Sequence, residues 1–176
     1  MAVAGLSMAV QATSINGSVA FSGGASVDSP LNLGAATQFT SITAIVTPTT
    51  QFGNYTALAN GLAVTFTPFK FNPPAANVIP LWTVTVGTIT YSFAATSVTS
   101  FWDGARSQWD LGGNGIASIT GFTDTAGTWN ATVGVQGQSF FFGSASATGI
   151  PDGGSTVMLL GAALSALGLF RKKLIA

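Results

Sequence analysis

Between residues 13 and 146 several stretches alternate apolar and polar side chains with a period of two, and none shows a convincing helical period. Residues 81–93, LWTVTVGTITYSF, carry the clearest pattern. Trp82, Val84 and Val86 share one face against Thr83 and Thr85. Beyond Gly87, Ile89, Tyr91 and Phe93 share one against Thr88, Thr90 and Ser92. A glycine at that break predicts a bulge or a tight hairpin. The alternation recurs at 15–23 (INGSVAFSG), 39–46 (FTSITAIV), 62–71 (LAVTFTPFKF), 116–122 (IASITGF) and 129–147 (WNATVGVQGQSFFFGSASA). Turn signals, F-N-P-P at 71–74 and G-G-N-G at 112–115, fall between these runs. Short strands rich in Thr, Val and Phe with regular turns predict an all-β domain. The expected form is a single jelly-roll-like β-sandwich over residues 13–148, with Phe66, Trp82, Phe93 and Phe141 facing the core.

The two ends follow other rules. Residues 1–12, MAVAGLSMAVQA, hold a short apolar run followed by Val10-Gln11-Ala12, small or tolerated residues at the −3 and −1 positions of an A-x-A-like site. Lacking only the basic n-region, they read as the remnant of a secretory signal peptide cleaved after Ala12. Residues 149–176 read GIPDGGSTVMLLGAALSALGLFRKKLIA. The apolar run at 156–170 has no polar stripe, unlike a core helix. As a helix of about 15 residues it spans roughly 22 Å, short of the ~30 Å hydrocarbon core. Extension back to Gly153 and snorkelling of Lys172 and Lys173 complete a single transmembrane helix. Arg171, Lys172 and Lys173 would stay cytoplasmic, leaving the domain outside. Pro151 and Gly153-Gly154 resist regular structure, so 150–155 forms an exposed joint that Asp152 keeps out of the bilayer.

Composition narrows the chemistry. Charged residues make up 6% of the chain, against a usual fraction of roughly 25%, and formal net charge is zero. The polar surface is therefore built from Thr, Ser, Asn and Gln, and suits dense packing among polysaccharide or other copies of the chain. Between the two ends, Lys70 and Arg106 face Asp28, Asp103, Asp110 and Asp124. Such a slightly acidic body offers nothing to phosphate, so nucleic acid is excluded as a partner. Without Cys or His there is no disulfide framework, thiol chemistry or His-activated nucleophile.

The order Ile150-Pro151-Asp152-Gly153-Gly154-Ser155, apolar helix, Arg171-Lys172-Lys173 resembles the PEP-CTERM class of sorting signals. It is closest to the variant with a Val-Pro-Asp-Ser/Gly-Gly-type motif, Ile150 standing in place of Val. The resemblance implies export by a Gram-negative bacterium and an inner-membrane-held precursor. It implies processing by an exosortase-type membrane enzyme, and a destination at the cell surface or in the exopolysaccharide matrix of a biofilm. Carried over to this chain, Pro151, Asp152, Gly153 and Gly154 are the recognition motif, and Arg171, Lys172 and Lys173 the stop-transfer end. More loosely, SINGSVAFSG, LWTVTVGTITYSF and ITGFTDTAGTW look like the body of many PEP-CTERM-bearing proteins. That likeness implies a β-sandwich and no reaction.

Candidate chemistry in the body centres on WDGARSQWD at 102–110. Asp103 and Asp110 could pair as glycosidase carboxylates; the simpler reading is a solvated loop with an Asp103-Gly104 turn and Arg106 paired to one acid. Asp103, Asp110 and Asp124 lack D-x-D-x-D-G spacing, so no metal or other cofactor is predicted, a single structural Ca²⁺ being the alternative. Trp102 and Trp109, with Asp103 and Arg106, form a candidate glycan platform that Trp129 could join, if the indoles are exposed and coplanar. The alternative is that they cap the open end of the domain. Asn16, Asn54 and Asn130 head N-x-S/T triplets, which chance explains in so Thr-rich a chain. The expected function is that of a non-enzymatic, exported structural protein. The alternatives are a carbohydrate-binding module and a permanently membrane-anchored ectodomain.

Overall fold

The structure, a computed structural model, describes residues 13–134 and 139–146. Its strands are β1 (Gly17–Val27), β2 (Phe39–Val46), β3 (Phe52–Gly53), β4 (Ala63–Phe66) and β5 (Val78–Val86). They continue as β6 (Ile89–Ala95), β7 (Thr99–Asp103), β8 (Gln108–Ile119), β9 (Thr125–Gly134) and β10 (Ser139–Ser146). One 3₁₀ turn, η1 (Leu33–Ala35), lies between β1 and β2. Thr-, Val- and Phe-rich period-2 runs become strands because they fit a pleated surface with one dry face. In β6 the dry face is Tyr91, Phe93 and Ala95; in β9 it is Trp129, Ala131 and Val133.

Every named strand pairs antiparallel, in the order β1-β10-β9-β8-β6-β5-β4-β2, and β2 returns to β1. The sheet therefore closes into an eight-stranded barrel, not the expected two-sheet sandwich. The seam is the pairing of β1 with β10, from Gly17↔Ser146 to Gly24↔Ser139. Two long strands make closure work by splitting their partners. The end of β8 bonds β6 while its start bonds β7, and the start of β1 bonds β3 while its end bonds β2. Alternation is the same in a sandwich wall and a barrel wall, which is why the sequence pattern could not separate them.

Other expectations shift locally. The run 81–93 is a hairpin: Val86 pairs with Ile89 across Gly87-Thr88, and Gly87 takes φ +61°, as a two-residue loop of the II′ kind requires. The run 129–147 supplies β9 and β10. The G-G-N-G at 112–115, expected to be a turn, lies inside β8. Its glycines serve close approach instead: a Cβ on Gly115 would lie 2.2 Å from the Phe93 ring, and one on Gly127 3.1 Å from its other edge.

Phe21, Phe66, Trp82, Phe93, Phe140 and Phe142 fill the barrel. Phe21 meets Trp82 edge-on at 4.9 Å, and Trp82 stacks on Phe93 at 6.4 Å. An eight-stranded barrel is just wide enough to be plugged by side chains in this way. Phe66, Trp82 and Phe93 face the core as expected, and Phe140 and Phe142 flank Phe141, whose side chain lies outside the described residues.

Because strands alternate in direction, the chain's features sort to two ends. At the lower end β1 begins, β10 ends at Ser146, and the β5–β6 hairpin turns. At the upper end lie η1 with its flanking loop and the tip of the β7–β8 hairpin. Ile15, Tyr55 and Leu58 close the lower end, while Leu33, Ala36 and Trp109 close the upper. Among the described residues no helix is long and apolar enough to cross a membrane; the predicted tail helix and residues 1–12 lie outside them.

Candidate functional site

The segment 102–110 is not a loop but the β7–β8 hairpin, with a four-residue tip, Gly104 to Ser107. Asp103 builds that tip as an Asx turn. Its Oδ1 accepts the backbone N–H of Ala105 at 2.9 Å and of Arg106 at 3.2 Å. Its Oδ2 receives the Arg106 guanidinium at 2.9 Å. The Arg106 N–H above all, with help from its guanidinium and the Ala105 N–H, holds the Asp103 carboxyl below the usual range. Asp110 instead accepts from Gln108 Nε2 at 2.7 Å. The hydrogen bonds thus divide the two carboxylates between separate partners, turn-making for Asp103 and strand-edge contact for Asp110.

Trp102 and Trp109 are direct cross-strand partners, with ring centroids 5.5 Å apart and planes tilted by 53°. Trp109 is 6% exposed and donates its Nε1–H to the Leu33 carbonyl at 2.8 Å. Trp102 is half-buried and lies against Gly34. The pair therefore grips η1 and closes the upper end of the barrel. A flat double platform for sugar rings needs two open, coplanar faces, and this tilt with a buried Trp109 does not supply them. Trp129 does not join the pair: it is buried, stacks on Phe142 at 5.8 Å and donates to the Ser97 carbonyl.

The loop over this end is fastened by Asp28. Its carboxylate accepts the Thr37 N–H at 2.8 Å, the Gln38 N–H at 3.3 Å and the Thr37 hydroxyl. The Thr37 hydroxyl is the main cause of a lowered Asp28 pKa. Sequence reasoning missed this clamp, although an Asp followed by S-P is a readable turn signal. It also missed Tyr55, whose hydroxyl meets Ser146 Oγ at 3.0 Å inside the lower end and whose pKa burial pushes up. No periodic signal links residues so far apart in the chain. Among the described residues no three Asp, Glu, His or Cys side chains gather to hold a metal.

The remaining candidates, Pro151, Asp152, Gly153 and Gly154 with Arg171, Lys172 and Lys173, lie outside the described residues. Here comparison with known proteins speaks directly. Residues 149–174 match the VPDSG-CTERM motif, an exosortase-sorting signal of the PEP-CTERM type. The motif marks an exported chain whose membrane-linked precursor is processed by an exosortase. It covers the tail alone and says nothing of the barrel. No curated protein and no solved structure matches the chain.

Proposed function

We propose that this is a non-catalytic structural protein of the cell surface or exopolysaccharide matrix of a Gram-negative bacterium. In this reading the exosortase signal delivers a barrel that then packs among neutral polymer. The observation that carries it is the pairing of a sorting tail with a solid barrel. The interior is filled by aromatic rings, and the outer wall is made of uncharged residues such as Thr43, Thr65, Thr128 and Asn130. Such a wall offers hydroxyl and amide groups to polysaccharide and lacks the fields that would repel neighbours. Closure also favours polymer over self-stacking as the means of assembly. A closed sheet has no long free edge, and the extra strands β3 and β7 are short.

The test is the intact mass of the native protein from surface and medium fractions, combined with migration through gels containing the host's exopolysaccharide. A mass ending near residues 151–155, with retardation in the gel, fits delivery to the matrix. A mass retaining Arg171, Lys172 and Lys173 in the mature form makes the chain a permanently anchored ectodomain instead. Retardation abolished by Trp102→Ala would revive a dedicated glycan site at the upper hairpin.

A further inference from the structure

The tail leaves the barrel at an end whose chemistry differs from the rest of its surface. Ser146, the last described residue of β10, pairs with Gly17 at the lower end, and the motif begins at residue 149. The intervening residues extend at most about 10 Å. The apolar run starts no earlier than Gly153, seven residues beyond Ser146, so the tether reaches at most about 25 Å and makes this the end of the barrel nearest the membrane.

Two features of the same end suit that position. The first is exposed apolar surface on its rim. Phe52, on β3, pairs with Ser18 at the start of β1 and is 61% exposed. Val86 and Ile89, paired across the tip of the β5–β6 hairpin, are 38% and 40% exposed. The second is the distribution of charge. Asp28, Lys70, Asp103, Arg106 and Asp110 all lie toward the upper end, leaving Asp124, in the β8–β9 connection, as the charged residue of the lower end among those described. Leu31, Ile79 and Phe101 are exposed too, but they lie toward the upper end with those charges, where no tail leaves, and Ile45 lies on the barrel wall. A rim of Thr, Asn and Gly with apolar tips, carrying Asp124 as its one charge among the described residues, approaches lipid at little desolvation cost, since few ions must shed water.

We propose that in the membrane-linked precursor the lower end of the barrel seats against the bilayer, with Phe52 and the Val86–Ile89 hairpin tip in the lipid interface. The partner is the neutral, zwitterionic lipid surface, because the rim has no basic cluster to recruit anionic headgroups. The proposal rests on the reading of the tail as a membrane-linked signal. The exosortase would then meet its motif against the rim of the barrel, and the Trp102–Trp109 hairpin would point away from the membrane.

The chain has no cysteine, so single labels are easily placed. The full chain, reconstituted in phosphatidylcholine vesicles, carries an environment-sensitive fluorophore on Ile89→Cys, on Thr88→Cys or, as the distal control, on Ala105→Cys. A quencher is confined to the lipid phase. The lower labels should be blue-shifted and quenched several-fold more than the Ala105 label. Flotation of the vesicles reads the tail separately. Chain that floats while all three labels remain equally exposed to water overturns the seating alone. Chain that fails to float overturns the membrane reading of the tail, and the seating with it. The Thr88 position guards against a folding defect specific to Ile89→Cys.

Discussion

At its upper end the barrel is closed by the loop around η1, and at its lower end by the first residues of the domain and the segment after β3. Both plugs bury apolar side chains, but they are fastened differently. The upper plug is held by a carboxylate, Asp28 on Thr37 and Gln38, and by the Trp109 N–H on Leu33. The lower plug uses neutral groups only. The Asn54 side-chain oxygen accepts the Asn16 N–H at 2.7 Å, Thr125 Oγ1 accepts the Ile15 N–H at 2.9 Å, and Tyr55 meets Ser146. The same mechanical task is done with ions at one end and without them at the other. That difference matters where the chain continues into a membrane-linked tail: hydroxyls and amides close a barrel without placing charge next to lipid.

The upper plug is most readily broken at Trp109. Trp109→Ala removes both the plug and the indole bond to Leu33 and should destabilise the barrel by about 3–5 kcal/mol. Chemical denaturation reads this directly, and a loss below about 1 kcal/mol would show that the upper plug is dispensable. Gly115→Ala tests the wall common to both ends. Its methyl meets the Phe93 ring, wedged between Gly115 and Gly127, and overpacking of this kind costs about 1–3 kcal/mol. Were the variant as stable as the parent, the ring would have to be free to move.

At the lower end Tyr55→Phe keeps the ring and leaves the buried Ser146 hydroxyl without its partner, a loss of about 1 kcal/mol. Native-state hydrogen exchange should show the loosening at the end of β10, next to the tail, and leave β7 unchanged. Ile89→Ser alters only exposed rim and should shift stability by no more than about 0.5 kcal/mol. A large loss there would mean that the hairpin tip is part of the fold and not a free surface.

Acid sharpens the contrast most gently. Asp28 and Asp103 have lowered folded pKa values, so their stabilising contribution is present above the unfolded carboxylate value of about 3.9 and is lost as pH falls through the folded values. Both lie toward the upper end. Amide exchange at Thr37 and Arg106 should therefore accelerate, relative to intrinsic rates, below about pH 4 before that at Asn16 or Asn54. Equal loosening at both ends would remove the distinction drawn between the plugs.

Local pattern carried much of this structure. The period-2 run at 39–46 is β2 to the residue, Gly87 marks a hairpin, and the inward set Phe66, Trp82 and Phe93 is buried as alternation required. The tail is legible because its meaning lies in linear order: a Pro-Asp-Gly-Gly joint, an apolar run and a basic end need no fold to be read. What local pattern left open depends on residues distant in the chain. Closure is decided by the register of β1 against β10, and no alternation within either strand encodes that pairing. Trp102 and Trp109 gave the composition of a sugar platform, yet η1, more than sixty residues earlier, comes to lie over Trp109 and makes the pair a plug. Asp103 and Asp110, close in sequence, were separated by hydrogen bonds that the hairpin imposes. Chemistry read along the chain is thus set by sequence alone. Which surfaces are open, and at which end of the barrel they stand, is set by long-range pairing and by the side chains that pairing brings together.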